Sequence, residues 1–221
     1  MQKIIEYRVA TDSPLASSTV REFVDRVSTD TPVPGGGSVA ALCGSLAAAL
    51  TAMVANLTFG KKGYESVSSE MSTLAAGAQA LKDEFLRAVD EDARAFDAVM
   101  VANRLPKSTH DEHLRRDAAI LAATKRAIDA PLGVMRLCEK TLPLVERVAE
   151  KGNKNSVSDA GVAALVLGAA AHGAWLNVRI NLPGLTNRDD AKRLEKDGST
   201  IMQRLSGEGT RIAEQVAKSL A

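Results

Sequence analysis

The sequence predicts an all-α fold, a single-domain bundle of long helices around an Ala-rich central helix. Three observations carry that reading. Aromatic residues make up only 3% of a chain that is 45% hydrophobic. Ala, Leu and Val must therefore fill the core, and small side chains suit close-packed helices better than sheets. Apolar residues recur at helical spacing from Glu65 to about Arg104. Only Lys3 to Val9 offers a strand-like alternation, and no linker divides the 221 residues, a length that one domain over 1–221 can fill.

Taken in order, Thr19-Val20-Arg21-Glu22 fits a capping box, with Phe23, Val24 and Val27 as the apolar stripe of a short helix. Thr29 to Pro34 is an extended, Pro-punctuated segment. Gly35-Gly36-Gly37 then opens the Ala-rich helix, which stops near Phe59-Gly60. Its stretch Ser38 to Leu57 carries no charge and is long enough to span a bilayer. It is mostly Ala, however, and lacks the Leu, Ile and Phe density that drives insertion. A helix buried on all sides of a bundle has the same pattern, and that is the expectation here.

Met71, Leu74, Ala78, Leu81, Phe85, Phe96 and Val99 mark the next helix, and Pro106 ends it. Thr109-His110-Asp111-Glu112 is a second capping box, starting a helix toward Asp129. Pro131 and Pro143 are expected to break or kink the chain beyond Asp129, and Gly152 to close that stretch. Ser158 or Asp159 reads as the N-cap of another Ala-rich helix ending near Val178. After the turn Asn181-Leu182-Pro183-Gly184, a last helix carries Leu194, Ile201, Leu205, Ile212 and Val216, weakened by Gly198, Gly207 and Gly209.

Charge and motif content exclude several functions. The net charge is +1, from 28 basic and 27 acidic residues with no basic run, so neither a nucleic-acid nor a membrane partner is expected. Met1 to Ala16 lacks the apolar core of a signal peptide. Cys43 and Cys138 sit in apolar stretches and read as small buried hydrophobes, in keeping with a cytoplasmic location. His110, His113 and His172 lack ligand spacing, so no metal is expected. The Gly triplet follows no strand and is no dinucleotide fingerprint. It either frees a helix N-terminus for an anionic or carbonyl group or gives a flexible entry into a tightly packed helix.

Asp92 is the most informative residue. On a helical wheel it lies among Leu81, Phe85, Phe96 and Val99, while Asp90, Arg94 and Asp97 fall on the polar side. A carboxylate in an apolar stripe is costly unless paired, hydrogen-bonded or used. It serves either an interhelical ion pair or proton transfer, for which burial raises the pKa usefully. Asp90 reads as a solvated surface charge. Lys107, directed by Leu105-Pro106, either sets a cation beside a carboxylate or faces solvent. The polar loop from Gly152 to Asp159 offers amides and hydroxyls at a helix N-terminus, and Asn177 and Asn181 share a face at that helix's exit.

Five segments in order carry a resemblance: Pro34-Gly35-Gly36-Gly37-Ser38, Asp90 to Phe96, Arg104-Leu105-Pro106-Lys107, Gly152-Asn153 with Ser158-Asp159, and Asn177 to Leu182. Together, over nearly the whole chain from Val20, they resemble the cyclodeaminase/cyclohydrolase family of folate enzymes. That family includes the cyclodeaminase half of formiminotransferase-cyclodeaminase and stand-alone methenyltetrahydrofolate cyclohydrolases. The resemblance implies an all-helical homodimer acting on a tetrahydrofolate derivative, with no metal and no further cofactor. It selects Asp92 and Lys107 as catalytic, and Gly35, Gly36, Gly37, Ser38, Asn153, Asp159, Asn177 and Asn181 as substrate-binding. With no formiminotransferase segment in the chain, hydrolysis of 5,10-methenyltetrahydrofolate is the first expectation. Release of ammonia from 5-formiminotetrahydrofolate is the alternative, and a helical folate-binding or scaffold protein is the reading from another class.

Overall fold

The computed structural model describes residues 14–220. The strand-like stretch Lys3 to Val9 lies outside them. Among the described residues there are six α-helices and no strand: α1 (Val20–Val27), α2 (Gly36–Thr58), α3 (Ser68–Asn103), α4 (His110–Lys151), α5 (Val157–Asn181) and α6 (Arg188–Ser219). Short 3-10 turns at Leu15–Ser17, Glu65–Val67, Lys154–Ser156 and Leu182–Gly184 flank or join them.

Both capping boxes form. Thr19 and Thr109 each accept from the backbone N–H three residues on, and Glu22 and Glu112 bond back, which satisfies donors that a helix start leaves open. The stripe on α1 packs less than expected: Phe23 is buried, but Val20, Val24 and Val27 are exposed. Helix α2 packs against α3, α5 and α4, while α5 packs against α2, α4 and α6. The Ala-rich α2 therefore shares the centre with α5. Both are long and apolar enough to cross a membrane, and more than half of the most apolar stretch of each is buried in the bundle.

The interior glycines act through close approach rather than weakness. A Cβ at Gly44 would enter the Phe85 ring, and one at Gly198 would enter the Trp175 ring. At Gly209 a Cβ would lie 2.6 Å from the Ala164 carbonyl oxygen. Helix α6 thus runs unbroken, because the lost propensity of each such glycine is offset by packing that no other residue permits.

Helix α4 also corrects the expectation, since it continues through Pro131 and Pro143. A proline inside a helix leaves the carbonyl four residues earlier without its N–H donor. For Pro131 that carbonyl belongs to Ala127, and Asn181 Nδ2 donates to it at 3.2 Å. A side chain from α5 thus replaces the missing helix bond.

The start of α5 is corrected too. Its N-cap is Ser156, which makes no side-chain cap bond, and Ser158 and Asp159 lie within the first turn. The capping is done upstream by Asn153, whose side chain accepts from Asn155 N–H at 3.1 Å at the head of the 3-10 turn.

Candidate functional site

The site is assembled where the N-terminus of α2 meets the middle of α3. Helix α2 begins with Gly35 as N-cap, and no side chain of its own segment caps it. The first-turn N–H groups need an acceptor, and Asp92 of α3 stands against them. Ser38 Oγ donates to Asp92 Oδ2 at 2.9 Å and lies 3.3 Å from the Val89 carbonyl oxygen. Gly37 is required here: a Cβ on it would overlap the Asp92 carboxylate. A Cβ on Gly36 would lie 3.3 Å from Asn177 Nδ2. The glycines let a carboxylate approach a helix end, where the dipole favours negative charge.

Burial pushes the Asp92 carboxyl above the usual aspartate range, and hydrogen bonds from the Ser38 side chain and backbone hold it part of the way down. The ion-pair alternative is not what forms, since no Lys or Arg pairs with Asp92 among the described residues. Its partner is the start of α2.

Asp92 opens onto a cleft of about 250 Å³. Gly35, Gly36 and Gly37 form one edge with Pro32 and Val33, and the peptide bond between Val33 and Pro34 is cis. Ala95, Phe96 and Val99 of α3, Ala127 of α4, and Asn177, Ile180 and Asn181 of α5 complete the lining. Asn177 Nδ2 donates to the Gly173 carbonyl and Asn181 Nδ2 to the Asn177 carbonyl, each at 2.8 Å. Both donors of the Asn181 amide are thereby used, one on Asn177 and one on Ala127, while Asn177 Nδ2 keeps a second N–H beside Gly36. Pro32, Val33 and Ala127 carry no signal in the sequence as site residues, and Ile180 carries one only as part of the segment Asn177 to Leu182. Phe96 and Val99 read from their spacing as core, with Phe96 also closing the segment Asp90 to Phe96.

Several candidates lie elsewhere. Ser38 is fully buried and does not line the cleft; its contact is with the Asp92 carboxylate. Lys107 is exposed beyond the end of α3, roughly 16 Å of helix past Asp92. It makes no ion pair among the described residues and does not line the cleft, so the expected Asp92–Lys107 pairing is not formed within the chain. Asn153 is buried and committed to the other end of α2. Its N–H donates to Thr58 Oγ1 at 2.7 Å and its Nδ2 to the Leu57 carbonyl at 3.3 Å. Asp159 shares that end, in the first turn of α5. The lengths of α2 and α5, about 33 Å and about 36 Å at 1.5 Å per residue, separate both from Asp92. Asp90 is no solvated charge: its Oδ1 accepts from Leu15 N–H at 2.6 Å and from Ala16 N–H at 3.4 Å, tying the first 3-10 turn to α3. Cys43 and Cys138 are free thiols, and burial pushes both up. Among the described residues no three His, Cys, Asp or Glu side chains gather as metal ligands.

The formiminotransferase-cyclodeaminase family model matches residues 19–200. This chain belongs to that family. Within it, the chain is 40% identical over 200 residues to a methenyltetrahydrofolate cyclohydrolase from Methylorubrum extorquens, covering 90% of this chain and 96% of that one. It is 36% identical over 205 residues to the formimidoyltransferase-cyclodeaminase of Rattus norvegicus, with 91% of this chain aligned but only 38% of the longer rat protein. The crystal structure of a formiminotetrahydrofolate cyclodeaminase from Thermotoga maritima superposes with a TM-score of 0.77 at 29% identity, covering 91% of this chain and 98% of that one. In this member of the formiminotransferase-cyclodeaminase family, the match takes in α1 to α5 and the first part of α6, and so every residue of the Asp92 cleft.

Proposed function

We propose that this chain is a methenyltetrahydrofolate cyclohydrolase, converting 5,10-methenyltetrahydrofolate and water to 10-formyltetrahydrofolate. The observation that carries the reading is the near full-length similarity to the Methylorubrum extorquens cyclohydrolase, at 40% identity. The Asp92 cleft supplies a chemistry to match. The methenyl carbon is the centre of an amidinium cation between two nitrogens, so it is already electrophilic and needs only an activated water. We assign Asp92 as the proton-transfer group. Its carboxylate takes a proton from the water as the oxygen bonds to the carbon. It then returns that proton to the departing ring nitrogen as the carbon–nitrogen bond breaks. The hydroxyl proton leaves as the formyl carbonyl forms, so one proton is released overall.

In this reading Gly35, Gly36 and Gly37 give the substrate access to the α2 edge, and Ser38 holds the carboxylate in place. Asn177 and Asn181 offer their side-chain amides to the polar edge of the pterin or to the attacking water. Because the substrate carbon carries its own positive charge, we read the reaction as needing neither metal nor cofactor. We read the enzyme as a cytoplasmic homodimer. Free Cys43 and Cys138 support the compartment. The exposed Leu46, Met53 and Leu57 of α2 and Val162 and Leu165 of α5 support the dimer, as apolar surface on adjacent helices seeks a partner.

The cyclodeaminase reading is favoured by the similarity to the Thermotoga maritima cyclodeaminase and to the rat formimidoyltransferase-cyclodeaminase, and uses the same folate carbon with ammonia as the leaving group. Supplying both substrates separates them. Loss of the methenyl chromophore without ammonia release is the expected result. Ammonia from 5-formiminotetrahydrofolate, with the methenyl compound untouched, would reverse the assignment. Folate binding with neither reaction would make the chain a binding protein.

A further inference from the structure

From the 3-10 turn Leu15–Ser17, packed on α3, the chain crosses through α1 to the wall of the Asp92 cleft at Pro32 and Val33. Helices α2 to α6 carry the packing of the bundle, and α1 has no comparable contact with any of them. Of residues 16–33 only Phe23 is buried, and it joins Leu15 in the main core. Val20, Val24 and Val27 on the same helix are exposed. The side chains of Ser28, Thr29 and Thr31 bond to the segment's own backbone or to one another, and the Thr19–Glu22 capping box is equally local. The segment is firm within itself and lightly held from outside.

Its two feet lie side by side. Leu15 is buried, and its N–H donates to Asp90 Oδ1 at 2.6 Å. Pro34 is buried at the other foot, beside the start of α2 that Ser38 ties to Asp92. Asp90 and Asp92 fall within one turn of α3, and a surface loop with adjoining ends can move while its base stays fixed. The cleft gives an independent reason for such movement. At about 250 Å³ it is smaller than the roughly 300 to 1,000 Å³ of pockets that hold small organic ligands. Its other walls belong to α2, α3, α4 and α5, which pack on one another through the core. Pro32 and Val33 are the wall with least behind it.

We propose that residues 18–33 form a lid, hinged at Leu15 and Pro34 and latched by Phe23, which swings outward to admit a ligand to the Asp92 cleft and closes over it. A segment with few buried apolar contacts opens at a free energy well below that of global unfolding, and one aromatic ring is what this segment must withdraw. The hinge at Leu15 stays seated through its own burial, so the moving part is α1 with the stretch that follows it.

The test measures access to the cleft with a thiol. Ala95 lines the cleft and is 2% exposed. Ala95→Cys, made in a Cys43→Ala background so that the fully buried Cys138 is the one other cysteine, sets a thiol behind the lid. Its reaction with the bulky reagent dithiobisnitrobenzoate should quicken at least about tenfold when Phe23→Ala is added, because loss of the latch favours the open form. Phe23→Leu should fall between. In the wild-type protein, residues 18–33 should exchange amide hydrogens at least about a hundredfold faster than the central turns of α2 and α5. Equal labelling rates with Phe, Leu and Ala at this position, or exchange as slow as that of α2, would overturn the lid. Loss of the helical dichroism signal in the Phe23→Ala protein would also overturn it, since a lid opens on a bundle that stays folded. No folate enters these measurements, so a failed lid leaves the cyclohydrolase assignment standing, and a failed cyclohydrolase leaves the lid.

Discussion

The Ser38 hydroxyl donates to the Asp92 carboxylate at 2.9 Å, joining the first turn of α2 to the middle of α3. That bond fixes the direction of the carboxylate lining the cleft, and the same carboxylate accepts from the Ser38 backbone at a helix start that lacks its own capping side chain. Structure and chemistry meet in that pair, and their contributions can be separated by mutation.

Asp92→Asn keeps the shape and an acceptor for Ser38 but removes the base. Turnover with the methenyl substrate should fall by roughly 10² to 10⁴, the usual worth of a positioned acid–base group. Melting temperature at neutral pH should be equal or slightly higher. The sign comes from linkage: a carboxyl whose folded pKa is raised favours folding below its unfolded pKa and loses that advantage as pH rises through the folded value. The stability gap in favour of the variant should therefore widen on going from acid to neutral pH. Asp90→Ala is the informative control. It breaks the bonds to Leu15 and Ala16, so it should cost about 1 kcal/mol of stability while turnover per folded molecule is retained. An early-melting D92N protein with full turnover would remove Asp92 from the mechanism.

Ser38→Ala deletes a hydrogen bond that lowers the Asp92 pKa, while the burial that raises it remains. The Asp92 carboxyl should move further up. If the ionised form is the base, the acid limb of the rate–pH profile shifts to higher pH. An unmoved limb with a lower plateau would mean that Ser38 orients Asp92 without tuning it.

Gly37→Ala places a methyl group where the Asp92 carboxylate lies. Either α2 or the carboxylate must shift, so turnover should drop at least about a hundredfold, since misplacement by about 1 Å already costs that much. Gly36→Ala meets only the end of the Asn177 side chain and should raise KM more than it lowers kcat. Equal behaviour of the two variants would argue against a specific role for the Gly37–Asp92 approach.

Pro131→Ala restores an N–H able to bond the Ala127 carbonyl, which Asn181 now occupies. The helix should gain about 1–3 kcal/mol, seen as a higher melting temperature. Asn181 loses its anchor across the cleft, so KM for the folate should rise several-fold. Increased stability with unchanged KM would show that the Asn181–Ala127 bond does not matter to binding.

Light scattering at micromolar concentration should give a dimer mass. Leu46→Asp or Leu165→Asp, each placing a charge in the exposed apolar surface of α2 or α5, should shift it toward monomer through the cost of burying an unpaired charge. A monomer mass for the wild-type protein would refute the dimer.

Much of this was legible in the residues themselves. Helical periodicity, both capping boxes and the small-residue run of α2 are local properties, because backbone bonding and side-chain spacing within a few turns determine them. Asp92 was legible for a related reason: a carboxylate among Leu81, Phe85, Phe96 and Val99 breaks the pattern of its own helix face. What the tertiary structure alone decided depends on contacts between residues far apart in the chain. Pro131 reads locally as a break, and it is tolerated only because Asn181, fifty residues later, bonds the carbonyl it leaves open. Asp90 and Asp92 differ not only by wheel angle but by partner, one holding Leu15 and the other Ser38. Asn153 and Asp159 belong to the same family pattern as Gly35 to Ser38. Sequence order cannot say that a helix about 33 Å long holds the two groups apart, because distance in a bundle is set by the path of the helices and not by membership of a motif.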